Sequence, residues 1–337
     1  MWHASVFAAL CLAPAVLEPQ PPKPPAVELS RAVRTQEFLC TVGQKSAVFG
    51  DESGTVETWV YPLKLFRDFA LVFHLSGYEI PAATLARTVV VRPESTSLIY
   101  VGDTFRVTEK FIAPVHEAGV IIRIEVETEG PLEIEAVFQR DFQLEWPAAI
   151  GATWENWDEA RRAFTFGEES KTYAALVGSP TATASLRELN TNYETSALSG
   201  FRLGATAKGK ETKVIVVAGS VNGAAEAEAT YKKLLEQGDA LESESAQYYD
   251  TYLQRTTNVH LPDADMQKAY DWSRISVAQG LVTNPKYGTG LIAGYRASGD
   301  SQRPGFAWYF GRDALWASFA LNSAGDFEST KTALEFL

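Results

Sequence analysis

A chain of 337 residues has room for two or three domains of ordinary size. With 46% hydrophobic, 12% aromatic and 21% charged residues it has the composition of a globular protein with a sizeable core, which excludes extended disorder. A formal net charge of −12 and the lack of any Lys/Arg run argue against nucleic acid as a partner, because binding phosphates needs a basic face; neutral sugars remain admissible.

Residues 1–26 are apolar from Ala4 to Leu17, are broken by Pro14 and end in the spacer "PQPPKPP". The apolar run is shorter than the roughly 20 residues that a membrane span needs. It predicts a secretory signal peptide followed by a proline-rich spacer, although no Lys or Arg precedes the run, and so predicts export. The cysteines are Cys11 and Cys40, and removal of the signal leaves one, so no internal disulfide is expected. The four His are in no ligand-like spacing, and there is no phosphate-cradling loop or nucleophile elbow, so neither a metal nor a cofactor is expected.

From about Val33 to Ser220 the pattern is β. "TVETWVYP" alternates, the run Leu63–Leu75 is apolar and aromatic, and "TFRVTEKFIAP" follows. In "GVIIRIEVETEGPLEIEAVFQR", Ile122, Ile124 and Val126 alternate with charge before Glu129-Gly130-Pro131, and Leu132, Ile134, Ala136 and Phe138 alternate after it. Period-2 alternation on both arms of a Gly-Pro turn predicts a hairpin with one buried face. "KTYAALVG", "GFRLGATAK" and "TKVIVVAGS" predict three more strands, and the whole predicts an antiparallel β-sandwich domain over 27–221.

At Asn222 the period changes. The Ala/Glu/Leu/Lys-rich stretch 222–257 predicts a helical linker lying on the sandwich, with Asn222 as N-cap and an interruption at Gly238. Pro262-Asp263 opens an all-helical region from 258 to 337. Its first helix carries Ala269, Trp272, Ile275, Ser276, Gln279 and Gly280 at helical spacing. "NPKYGTGLIAGYRASGDSQRPGF" reads as a long structured loop, the kind of segment that carries function between rigid helices. Asp326 is the expected N-cap of a last helix, which runs to Leu337 without a stop signal, so the chain is expected to be a piece of a longer one.

The candidate site lies in "RPGFAWYFGRDALWASFALN", read as a helix whose aromatic face holds Arg312 and Asp313 in its middle. Buried charge is unfavourable unless it is paired or meets a polar ligand. Side by side, the two would hold adjacent hydroxyls of one sugar as donor fork and acceptor; the alternative is a surface pair making separate salt bridges. Trp308 and Trp316, eight residues apart, would share a face, for stacking on a pyranose or for core packing. Arg296, Asp300 and Arg303 are weaker loop candidates, with exposed loop charge as the alternative. Arg67-Asp68 is read as structural, and His74, His116 and His260 carry no pattern.

On these residues the chain resembles a known group. The stretch from "GTGLIAGYRASGDSQRPGF" through "FAWYFGRDALWASFALNSAGDFESTKTALEFL" resembles the start of the catalytic domain of bacterial glycogen-debranching, amylo-α-1,6-glucosidase-like proteins, which are six-hairpin glycosidases. "FGDESGTVETWVYPLKLFRDF" and "GKETKVIVVAGSVNG" are similar to the N-terminal domain of the same group. The resemblance implies an α+β multidomain fold: an antiparallel β-sandwich (supersandwich), the helical linker, then the first helices of a truncated (α/α)6 barrel. It implies inverting hydrolysis of α-glucan or a related oligosaccharide by two carboxylates. It implies glycone binding by Arg312 and Asp313 and aromatic lining by Trp308 and Phe310. The acid and base would come from later barrel elements, so no catalytic residue is expected in this chain. A bacterial periplasmic or extracellular location follows from the same reading. A barrel acting on trehalose, a mannoside or a rhamnoside, or a non-catalytic carbohydrate-binding module, remains the alternative.

Overall fold

A computed structural model describes residues 27–144, 150–187, 198–296 and 307–337. The strands in chain order are β1 Leu29–Ala32, β2 Phe38–Val42, β3 Ser46–Asp51, β4 Val56–Val60, β5 Leu63–Leu75, β6 Tyr78–Pro81, β7 Ala86–Arg92, β8 Ser95–Val101, β9 Phe105–Ile112 and β10 Gly119–Thr128. They continue with β11 Leu132–Leu144, β12 Thr153–Asp158, β13 Ala163–Glu168, β14 Ala174–Gly178, β15 Thr183–Arg187, β16 Leu198–Thr206 and β17 Gly209–Ser220. Helices α1 Ala224–Arg255 and α2 Ala264–Ala278 follow, then β18 Leu281–Asn284, β19 Gly288–Leu291, α3 Gly311–Ser323 and α4 Phe327–Phe336.

Two antiparallel sheets stack face to face. A nine-stranded sheet runs β1-β7-β8-β9-β10-β17-β14-β13-β12, and an eight-stranded one runs β15-β16-β11-β5-β4-β3-β2 with β6 added on β5. Their inner faces form one core that includes Phe66, Phe73, Phe111, Phe138 and Phe201. Period-2 alternation supplies that face, since every second side chain of a strand points the same way.

The hairpin expected around Gly130-Pro131 does not form. β10 pairs with β9 and β17, whereas β11 pairs with β5 and β16. The turn carries the chain from one sheet to the other, so Ile122, Ile124 and Val126 meet Ile134, Ala136 and Phe138 within the sandwich core. Alternation fixes which face of a strand is apolar and leaves the hydrogen-bonding partner open.

Helix α1 covers the outer face of the nine-stranded sheet, packing Ala227, Tyr231, Leu234 and Leu241 on Ile121, Val216 and Ala218. Its N-cap is Gly223 at φ 92, a conformation that suits glycine, and not Asn222. The Asn222 side chain instead donates to Glu226 Oε2 at 2.8 Å. The expected interruption is a kink, with Gln237 at φ −120 and ψ 16, through which the helix continues. Buried Arg274 ties α2 to the end of α1 by donating to the Leu253 and Thr257 carbonyls and to Thr256 Oγ1. The region after residue 258 is not all-helical, because β18, just after α2, forms a hairpin with β19, which lies inside the stretch read as a loop.

Two titratable groups are buried in positions that bear on stability. Glu109, on the core face of β9, is fully buried and accepts a 2.6 Å bond from the Tyr100 hydroxyl. Burial is the larger influence on its carboxyl and raises its pKa to about 8, against a smaller lowering by the tyrosine bond. Between the ordinary carboxylate value and about pH 8 the folded chain keeps this proton while the unfolded chain loses it. The unfolded state then binds fewer protons, so this group makes stability fall as pH rises through that window. Glu109→Gln is expected to flatten the fall, matching the parent near about pH 5 and exceeding it near about pH 9 in urea titrations. Asp326, fully buried, caps α4 by accepting from Ser329 N at 3.3 Å and pairs with Arg255 at 3.2 Å. Asp326→Ala is expected to lower the unfolding free energy by about 1–2 kcal/mol, and Arg255→Ala, at a half-exposed side chain, by less than about 1 kcal/mol.

Candidate functional site

The outer face of the eight-stranded sheet is the seat of the candidate site. Val42, Ala47, Phe49, Trp59 and Tyr61 form an apolar patch there, and Val282 and Ile292 from the β18–β19 hairpin close on it. Tyr295 adds a ring contact of 5.1 Å to Phe49, and Thr283 N donates to Gln44 O at 2.7 Å. The residues before α3 are pinned to the same hairpin. Ile292 and Tyr309 form an antiparallel bridge, Ala293 N donates to Trp308 O at 2.9 Å, and the Tyr309 hydroxyl donates to Val282 O at 3.0 Å. From below, Phe336 of α4 packs on the Tyr309 ring at 4.4 Å.

This pinning corrects the expected helix. Trp308, Tyr309 and Phe310 precede it, Phe310 is its N-cap, and Gly311 is its first residue. Arg312 and Asp313 therefore stand in the first turn and not in the middle. The N-terminal turn presents unsatisfied N–H groups and the positive end of the helix dipole, which favours a carboxylate such as Asp313 there. Arg312 Nη2 donates to Asp313 Oδ2 at 3.1 Å, with side-chain exposures of 75% and 30%. The two candidate side chains thus hold each other at the surface. Half-buried Trp308 and exposed Phe310 flank them in sequence. Arg296 is exposed, and Asp300 and Arg303 lie outside the described residues.

Trp308 and Trp316 do not share a helical face, because Trp308 lies before the helix. Trp316 pairs instead with Phe319, rings 5.8 Å apart, and the two are 70% and 64% exposed. Beside them Leu315 is exposed, whereas Ala314, Ser318 and Leu321 form the buried side of α3.

A charged group absent from the sequence reading lies on the same sheet face. Lys64, buried, pairs with Asp141 at 2.7 Å and Glu57 at 3.2 Å and lies 5.6 Å from the centre of the Trp59 ring. The Trp59 indole N–H donates to Glu57 Oε1 at 3.0 Å, so one side chain joins this ion cluster to the apolar seat of the hairpin. Register explains the convergence, since Trp59 and Lys64 are cross-strand partners and Gln143 is the partner of Lys64 on β11. Arg67 and Asp68, neighbours that a regular strand would point to opposite faces, meet at 3.5 Å because Asp68 takes φ 53 where the β4–β5 and β5–β11 registers shift.

No protein-family model matches the chain, and no curated protein matches it. Solved structures do. A bacterial glucoamylase complexed with acarbose superposes with a TM-score of 0.60 at 12% identity, over 92% of this chain and 51% of that one. A putative kojibiose phosphorylase from human microbiome superposes with a TM-score of 0.54 at 8% identity, over 80% of this chain and 43% of that one. The chain therefore spans about half the length of these structures. At such identities the likeness is one of fold, and the structural neighbours are glycosidase-like proteins.

Proposed function

We propose that this chain is the N-terminal part of a glycoside hydrolase acting on α-glucan or a related oligosaccharide, of the debranching, amylo-α-1,6-glucosidase type. The chain supplies the sandwich, the helical linker and the first helices of an (α/α)6 barrel. The observation that carries the reading is the Arg312–Asp313 pair at the surface of the first turn of α3, beside Trp308 and Phe310. An exposed ion pair is worth little in water, so sugar hydroxyls can replace it at small loss. Arg312 then donates and Asp313 accepts at adjacent hydroxyls, while the aromatic rings meet the apolar C–H face of the sugar.

Bond cleavage is assigned to two carboxylates supplied beyond Leu337. One protonates the leaving oxygen, and the other activates a water on the opposite face of the sugar, which inverts the anomeric centre. Residues 1–26 act as the export signal and spacer in this reading. Trehalose, a mannoside or a rhamnoside are the competing sugars for the same architecture.

Arg312→Ala in the longer gene product is expected to lower kcat/KM on a glucoside at least about tenfold, since a hydrogen bond to a charged group contributes about 1.5–3 kcal/mol. Unchanged kinetics would remove Arg312 from the site. The exposed Trp316–Phe319 ring pair favours a second reading, a non-catalytic carbohydrate-binding module. Titration calorimetry of residues 1–337 with malto-oligosaccharides separates the two. The hydrolase reading expects neither turnover nor tight binding by this chain, whereas binding that disappears in Trp316→Ala would establish the module.

A further inference from the structure

A second cluster of chemically active side chains lies at the other end of β5 from Lys64, roughly 30 Å away at the rise of an extended strand. His74 of β5 and Glu79 of β6 are direct cross-strand partners, joined by the tight turn at Ser76 and Gly77. On the other side of β5, His74 is the register partner of Glu133, which places Glu135 diagonally beside it on the same outer face of the sheet. His74 Nε2 lies 2.7 Å from Glu135 Oε2, and His74 Nδ1 lies 3.9 Å from Glu79 Oε1. One ligand atom from each of His74, Glu79 and Glu135 falls within 4.8 Å of the other two.

The surroundings of Glu135 are built. Its carboxylate is 1% exposed, and its second oxygen, Oε1, accepts from Ser185 Oγ at 2.6 Å. Ser185 reaches it across Gly200, its register partner on β16. A Cβ at position 200 would stand 2.7 Å from Ser185 Oγ, 3.0 Å from the Ala136 carbonyl and 3.4 Å from Glu135 Oε1, so a larger residue would displace the serine. The neighbouring acid, Glu133, is drawn aside by Arg202 at 2.9 Å. One carboxylate of the row is thus neutralised by arginine, while the other is oriented by a serine hydroxyl and faces an imidazole.

The geometry points to a binding site for a divalent transition-metal ion of the zinc type, formed by His74, Glu79 and Glu135. An imidazole with two carboxylates is a nitrogen–oxygen set that suits zinc and its first-row neighbours. Three protein ligands leave a coordination position for water. Ser185 is a positioning residue, since a hydrogen bond to the far oxygen of a ligating carboxylate fixes its orientation. Glu79, on an exposed hairpin, is the ligand supplied from the solvent side. The ion would clip β6 to β11 through β5. It lies away from α3, and the assignment stands whether or not the hydrolase reading holds.

The test is zinc chloride titrated calorimetrically into the tag-free chain, with the thermal midpoint followed in parallel. A single equivalent is expected to bind and to raise the midpoint in a concentration-dependent way. His74→Gln is expected to abolish the uptake, and Glu79→Gln and Ser185→Ala to weaken it at least about tenfold. Glu79 is exposed on its hairpin, so its variant keeps the test valid should the buried ones misfold. His116→Gln is expected to leave uptake unchanged. Absence of saturable uptake by the parent chain, or uptake that survives Glu79→Gln undiminished, overturns the assignment and leaves an ordinary His74–Glu135 ion pair.

Discussion

The candidate site depends on the apolar contact between Trp59, Phe49 and Tyr61 on the eight-stranded sheet and Val282 and Ile292 on the small hairpin. The outer face of an antiparallel sandwich sheet is commonly wet. Here the nine-stranded sheet is covered by α1 and part of the eight-stranded sheet by the β18–β19 hairpin. Because the hairpin is seated, the bridge from Ile292 to Tyr309 and the bond from Tyr309 to Val282 fix the point where α3 begins. The position of Arg312 and Asp313 is a consequence of that seat, three contacts removed.

The distinction between helix middle and first turn alters the chemistry assigned to the pair. In the middle of a helix the backbone N–H groups are satisfied, and an Arg-Asp pair would be the sole polar feature of an aromatic face. In the first turn the free N–H groups and the dipole add donors beside Asp313. Donors and an acceptor thus stand side by side at the start of α3, which is the arrangement that the proposed binding of sugar hydroxyls uses.

How far the sequence carries depends on the range of the interaction involved. Strand faces in β10, β11 and β17 were legible because alternation is local, and Asp326 was legible as a cap because it bonds three residues ahead. The pairing of β10 and β11 is not legible locally, because two strands on either side of a turn have the same pattern whether they pair in one sheet or face each other across two. The start of α3 is hard to place because Phe310 offers no side-chain cap, although glycine at 311 followed by aspartate at 313 is a sign of a first turn. Lys64 with Asp141 and His74 with Glu135 are separated widely in sequence and meet through strand register alone. Nothing in the local pattern around either cluster announces the other half.

The two ends of β5 show what register can build on one scaffold. At Lys64 a buried ammonium is matched by two carboxylates, and the cation–π contact with Trp59 adds to its stabilisation, so charge is balanced within the protein. At His74 the make-up differs, with one ligand atom from each of two carboxylates and one imidazole lying within 4.8 Å of one another. A cluster with a fixed internal cation gains little from a metal, because the ammonium already neutralises the acids. The imidazole instead offers a nitrogen beside two carboxylate oxygens, a donor set that suits a divalent ion. The same strand therefore carries a charge-matched cluster beside the proposed sugar site and, at its far end, the nitrogen–oxygen donor set of the proposed metal site.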